Sequence, residues 1–346
     1  MQMEVKGNYQ VKVNYPTLRP KRRRKGRAPE ALLPTFANRA SRRVRGRDRR
    51  SGRCARRMWA TSDFRLEYSL QQSLQGAGLA VAAVQHVRRM RGGAQSHLMR
   101  CSDGHFYVVK FQDNPQHTRV LANEMLATRL AQAAGLPVPA TEIVEVDSWL
   151  IEHTPELRFE LVHGSKACTP GLQFGSRFVV PPMEGLIYDY LPEHLLDRVR
   201  NLGAFAGILA LDKWTCNANG RQAAFWKKSR ERKFTVSFID QGYCFNAGEW
   251  SFPDSPLRGV YARNHVYREV AGWESFQPWL GNIESMDEQT MWKSAEEIPP
   301  AWYGESCELE RLVEALARRR SRVAELIVQF RNSSRAPFPK WRDVVH

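Results

Sequence analysis

The chain has 346 residues, of which 42% are hydrophobic, and a formal net charge of +16. That length holds one two-part domain or two small ones, and the apolar content excludes a wholly disordered chain. No run of about 18 apolar residues occurs, so no transmembrane helix is expected. The positive N-terminus has no apolar stretch behind it and does not read as a secretory signal.

The charge is concentrated. Residues 1–58 hold 19 Lys and Arg against Glu4, Glu30 and Asp48, whereas the rest of the chain is balanced at 33 of each sign. The tracts 21–27 (KRRRKGR) and 39–50 (RASRRVRGRDRR) repel themselves and cannot bury a core, so 1–58 reads as a disordered Arg-rich tail. Two readings of that tail stand. It is a phosphate-binding arm that would make nucleic acid a partner, or it is upstream GC-rich sequence read as protein, with the start at Met58. Six cysteines lie at 54, 101, 168, 216, 244 and 307 with no CxxC or Cys/His zinc spacing, which points to free thiols in a reducing cytoplasm.

In chain order, LAVAAVQHV (79–87) is strand-like and leads into the turn Arg91-Gly92-Gly93-Ala94-Gln95-Ser96. HLMRC (97–101) and HFYVVKF (105–111) form a hairpin around Ser102-Asp103-Gly104. A helix is predicted from about 119 to 134, stopped by Gly135, Pro137 and Pro139. EIVEV (142–146) and WLIEH (149–153) read as a strand pair, and 155–182 as irregular. A short strand at 185–191 precedes a helical stretch, EHLLDRVRN (193–201), and a buried helix at 202–211 that is apolar all round. The segment 212–222 reads as a loop, 223–226 and 234–239 as a hairpin with the charged tip KKSRERK, and 306–330 as one amphipathic helix.

Four pieces carry chemistry in a meaningful order. The turn of Gly92, Gly93, Ala94, Gln95 and Ser96 between two strands lets backbone amides approach an anion, although an ordinary hairpin turn looks the same. Lys110 stands in mid-strand between apolar neighbours, at the distance after a Gly turn at which kinases place a phosphate-binding Lys, and Glu124 follows in a helix. Asp212 and Asn217 are five residues apart, the Asp/Asn spacing of the kinase catalytic loop. Asp240, delivered by the apolar strand FTVSFI and followed by Gly242, has the form of an Asp-x-Gly metal acid. Each piece alone is common; the joint order is not.

At GGAQSHL (92–98), YVVKF (107–111), NEMLATRLA (123–131), GLPVP (135–139), LDKWTCNANGRQ (211–222) and FIDQG (238–242), residues of about 85–260 resemble the HipA-like kinases, a bacterial branch of the protein-kinase-like fold. The resemblance implies an α+β, two-lobed domain over 59–346. Its small β-rich N-lobe would span about 78–185 and its mostly helical C-lobe about 186–335. It implies an ATP- and Mg²⁺-dependent phosphotransferase acting on a hydroxyl acceptor; the departures below keep the acceptor itself from being inherited, and protein Ser/Thr is preferred over a lipid headgroup or a small metabolite, which need the same geometry. Residues 92–96, Lys110 and Glu124 would bind nucleotide, Asp212 and Lys110 would be catalytic, and Asn217 and Asp240 would hold the metal. Departures are Ala210-Leu211 where His-Arg would stand, Gln241 where Phe would stand, and no Ala-Pro-Glu motif. A nucleotide-binding pseudokinase is the alternative. The adenine hinge falls at 149–153 or, preferably, at 186–191.

Overall fold

The computed structural model describes residues 80–342. The basic segment 1–58 and the Met58 question lie outside the described residues. The strands and helices in order are β1 (Val81–Arg89), β2 (His97–Cys101), β3 (Phe106–Lys110), α1 (Val120–Ala133), β4 (Thr141–Val146), α2 (Ser148–Glu152), β5 (Arg158–Leu161), β6 (Gly164–Ala167), β7 (Gly171–Arg177), β8 (Gly185–Tyr188), α3 (Glu193–Leu196), α4 (Ala204–Trp214), β9 (Gln222–Lys228), β10 (Thr235–Ile239), α5 (Trp279–Ser285), α6 (Glu288–Ala295), α7 (Ser306–Arg319) and α8 (Val323–Arg331).

Five strands close a barrel in the order β1-β2-β3-β7-β4, and the parallel pairing of Val81 with Val144 and Ala82 with Glu145 makes the closure. Met99, Tyr107, Val109, Phe111, Val144, Val146 and Phe159 form one apolar core with it. A second, larger core gathers α1, α4, α7 and α8. At its centre α4 is buried at every position, as its all-round apolar sequence requires. Gly207 permits this: a Cβ there would lie 2.4 Å from the Trp279 indole of α5. In the antiparallel sheet β8-β9-β10, β8 precedes α4, and β9 and β10 carry the chain from α4 to Asp240.

Several sequence expectations are corrected. Within the expected strand at 149–153, residues 149–152 belong to the helix Ser148–Glu152, because Asp147 caps it by accepting the Leu150 N–H at 2.8 Å. The supposedly irregular 155–182 contains β5, β6 and β7, and β7 pairs with both β3 and β4. Its Gly175 is a close-approach residue, since a Cβ there would lie 2.5 Å from Val144 Cγ2. The 193–201 helix shrinks to Glu193–Leu196, the 185–191 strand ends at Tyr188, and the 306–330 helix is broken by a 3₁₀ turn at Arg320–Arg322. Most consequential for the site, α4 runs on through Trp214, so Asp212 lies on a helix and not in a loop.

Candidate active site

Lys110 ends β3. Alternation sends Val109 into the barrel core, and Lys110 turns toward α1, where it is only 7% exposed. Its Nζ donates to Glu124 Oε1 and, at 2.7 Å, to Asp240 Oδ1. Glu124, in α1, also accepts the N–H groups of Gln241 and Gly242, both at 2.9 Å. One carboxylate therefore fixes the strand lysine and the turn that follows Asp240. Asp240 sits in the left-handed region at φ 64°. Gly242 has no room for a side chain: a Cβ would come within 2.7 Å of Val120 Cγ2. Burial opposes the charge on Lys110, but Asp240 and Glu124 outweigh it and hold the ammonium well above its ordinary pKa. Burial likewise opposes the charge on Asp240, and Lys110 overrides it, so this acid stays below the usual carboxylate range.

The segment after α4 is arranged differently from its sequence expectation. Asp212 is 0% exposed. Its Oδ2 accepts Arg221 Nε at 2.9 Å, and its Oδ1 accepts both Arg221 Nη2 and, at 2.9 Å, Asn217 Nδ2. The backbone of Gly259 closes over it, at φ 68° and with no space for a Cβ, which would lie 2.5 Å from Asp212 Cβ. The expected acceptor-facing aspartate is thus an interior ion-pair partner. Asn217, 1% exposed, spends its other amide atom on the Asn219 N–H at 3.0 Å. That oxygen keeps its second lone pair.

Two residues that sequence reasoning missed take up the space between. Arg221 joins Asp212 to the carbonyl of Ile239 at 3.0 Å. Gln222 opens β9 and donates Nε2 to Asp240 Oδ2 at 2.5 Å. The signal was available in the hairpin: counting back through its register sets Gln222 opposite Ile239, one residue before Asp240.

The turn between β1 and β2 is held by Met90 N–H to Ser96 O at 2.7 Å and Gln95 N–H to Gly92 O at 3.1 Å, with Gly92 at φ 121°. Asn114 Nδ2 donates to Ala94 O at 2.8 Å. Gln95 is turned onto β5, where its side chain accepts Glu160 N–H at 2.7 Å and donates to Glu160 O at 2.9 Å. Its side chain anchors the turn to a neighbouring hairpin, and its own N–H is given to Gly92 O within the turn.

A family model described as HipA-like kinase matches residues 83–318. The chain belongs to the HipA-like kinase family. The family supports kinase-type phosphoryl transfer, and Lys110, Glu124 and Asp240 meet at one place in this chain. No match was found among curated proteins. Solved structures similar to this HipA-like kinase include the Helicobacter pylori proinflammatory kinase CtkA, 13% identical, covering 73% of this chain and 96% of that one at TM-score 0.48. The Golgi casein kinase is 14% identical, with 79% and 78% covered at TM-score 0.45. HipA of Shewanella oneidensis MR-1, solved with HipB and operator DNA, is 12% identical, with 78% and 73% covered at TM-score 0.37. These likenesses are distant.

Among the described residues no group of three or more His, Cys, Asp or Glu is placed to hold a metal by itself, and no helix is long and apolar enough to cross a membrane. A nucleotide-borne Mg²⁺ asks for less. One or two carboxylates suffice, because phosphates and waters complete its octahedron. Asp240, a hard oxygen donor beside Lys110, fits such a cation.

Proposed function

We propose that the chain is an ATP- and Mg²⁺-dependent phosphotransferase that moves the γ-phosphoryl group to a hydroxyl, on protein Ser or Thr, in the cytoplasm. The reading includes a two-lobed layout, with an N-lobe over about 78–185 and a C-lobe over about 186–335. The observation that carries it is Lys110 bridging Glu124 and Asp240: a strand lysine, a helix acid and an Asp-x-Gly acid from three separate parts of the chain. The described cysteines 101, 168, 216 and 244 are buried thiols outside any disulfide, in keeping with a reducing compartment.

The chain's own residues supply positioning and charge, which is most of what phosphoryl transfer requires. Lys110 stays protonated and turns its N–H groups to phosphate oxygens, while Glu124 keeps it aimed. The amides of the 92–96 turn other than that of Gln95, which Gly92 O holds, cradle the phosphates, and the Asp240 carboxylate receives the cation. Bound Mg²⁺ supplies neutralisation of charge developing on the β- and γ-phosphates. Asp212, the sequence candidate for the base, has its oxygens on Arg221, and transfer rests on Lys110 and Asp240.

The test is γ-labelled ATP with the purified chain, offered separate pools of protein, lipid and small metabolites. Label is expected in the protein pool, and is expected to vanish with EDTA, Lys110→Met or Asp240→Ala. Label in the lipid or metabolite pool alone would refute the protein acceptor. The enclosure of Asp212 favours a second reading, a pseudokinase that binds nucleotide and transfers nothing; intact nucleotide binding with no label in any pool selects it. The charge of 1–58 favours a nucleic-acid role for that segment, read as salt-dependent binding that disappears when 1–58 is deleted.

A further inference from the structure

We propose that Asn123 is a positioning residue for phosphoryl transfer: its amide holds the chain from Gly242 to Trp250 in a left-handed path and thereby sets where Asp240 stands relative to the segment that carries Asn217; this rests on the phosphotransferase reading.

The first argument is the completeness of the grip. Asn123 lies in α1, one residue before Glu124, and is 0% exposed. Its Nδ2 donates to the carbonyls of Gly242 and Cys244, both at 2.9 Å, and of Ala247 at 2.7 Å. Its Oδ1 accepts Trp250 Nε1 at 2.7 Å. An indole N–H can only donate, so the Trp250 contact fixes which end of the amide carries the oxygen. His117 Nε2 also holds the Gly242 carbonyl, at 2.8 Å.

The second argument is what the grip opposes. Phe245, Asn246 and Ala247 stand at φ 59°, 57° and 59°, and Trp250 at 48°. Successive left-handed residues, none of them glycine, form a path that their own Cβ atoms disfavour. The carbonyls that converge on the Asn123 amide keep the segment on that path, since leaving them unpaired in the interior is costly.

The third argument is what the path connects. Glu124 accepts the N–H groups of Gln241 and Gly242, and Asn123 takes the carbonyls from Gly242 onward. Two consecutive residues of one helix therefore hold the entry and the exit of the turn that begins at Asp240. On its other side the segment bonds to the connection after α4: Phe245 N–H to Thr215 O at 2.6 Å, Asn246 N–H to Cys216 O at 3.2 Å, and Ala218 N–H to Tyr243 O at 2.9 Å. Asn217 lies between Cys216 and Ala218. The Asp240 carboxylate and the Asn217 amide are oxygen donors of the kind Mg²⁺ and Mn²⁺ accept, and the backbone that Asn123 shapes sets their spacing.

The experiment titrates Mn²⁺ into the full-length protein with a non-hydrolysable ATP analogue, following loss of the free Mn²⁺ resonance, and measures analogue affinity separately in EDTA. Asn123→Ala is expected to weaken Mn²⁺ binding by the folded protein about tenfold, the size of losing a residue that supports metal donors, with analogue affinity in EDTA unchanged. Adding Ala247→Gly to Asn123→Ala is expected to recover part of the loss, because glycine takes the left-handed path without a clamp. Trp250→Phe removes one bond to Asn123 and keeps a ring; it is expected to weaken Mn²⁺ binding by less, and stands in if Asn123→Ala does not fold. Mn²⁺ affinity equal to that of the unsubstituted protein in the folded variant overturns the assignment. So does an equal loss of analogue affinity in EDTA, or a double variant that recovers nothing. An unsubstituted protein whose analogue affinity gains nothing from Mn²⁺ overturns the phosphotransferase reading instead.

Discussion

Asp212 and Asp240 both lie toward the ends of apolar elements, and in the sequence they look alike. Their surroundings separate them. Asp212 meets a guanidinium that takes both its oxygens in the interior, whereas Asp240 meets a lysine and an exposed amide at the cleft. Removing one partner of a buried ion pair leaves an uncompensated charge, so Asp212→Ala is expected to cost about 3–5 kcal/mol of stability. A chemical-denaturation midpoint checks this; a variant as stable as the parent but slow in transfer would return Asp212 to the role of base. Gln95 invites a similar test. Its two bonds to the Glu160 backbone fix the turn that approaches phosphate. Gln95→Ala is expected to raise the KM for ATP roughly tenfold with kcat little changed, the effect of losing one or two hydrogen bonds of about 1 kcal/mol each. Steady-state kinetics in which kcat falls instead would show that the side chain acts on the reacting groups.

At the scale of elements, the parts legible in the sequence were those with strong local signals. The β2–β3 hairpin follows from Asp-Gly between alternating runs, α1 from its Gly/Pro stop, and α4 from its apolar continuity. The meeting of Lys110 and Glu124 followed from order alone. β7 escaped because its glycines read as breaks, while Gly171 stands at φ 111° and Gly175 lets Val144 approach. The fates of Asp212 and Asn217 escaped because they depend on Arg221 and on Gly259, and the latter comes from a distant loop whose approach no local pattern records. The barrel also contains an unforced polar group. His97 of β2 is fully buried; its Nδ1 lies 3.1 Å from His86 Nε2, and its Nε2 has no partner among the described residues. Burial, with the nearby charges of His86 and Arg89, lowers its pKa from 6.5 to about 4. The folded pKa is the lower one, so between pH 6.5 and 4 the unfolded chain carries more protons and stability falls as pH drops. Melting curves across that window are expected to slope downward toward acid, and His97→Phe to flatten the slope. A slope unchanged in the variant would assign the acid sensitivity to other groups.

For the whole molecule, the two cores meet along α1, which packs into the larger one and lends Glu124 to the lysine of the barrel. A ligand that engages Lys110, the 92–96 turn and Asp240 together is bound only by the assembled protein. Saturation at about 100 times Kd is then expected to add about 2.7 kcal/mol, which raises the melting temperature by several degrees in a domain of this size. Calorimetry with Mg²⁺ and a non-hydrolysable ATP analogue, against EDTA, reads this. Equal shifts with and without metal would detach Asp240 from nucleotide binding.

The barrel order has a consequence for synthesis. β3 receives its second neighbour only from β7, a strand made after α1, β4 and the β5–β6 hairpin. β7 follows β3 by roughly 60 residues, so at about 5–20 residues per second the edge of Phe106–Lys110 waits several seconds on the ribosome for its partner. During that interval an apolar strand offers unpaired backbone to any other nascent chain. Lys110, the one charge in the strand, is then the residue that discourages such pairing, before it is ever enclosed by Glu124 and Asp240.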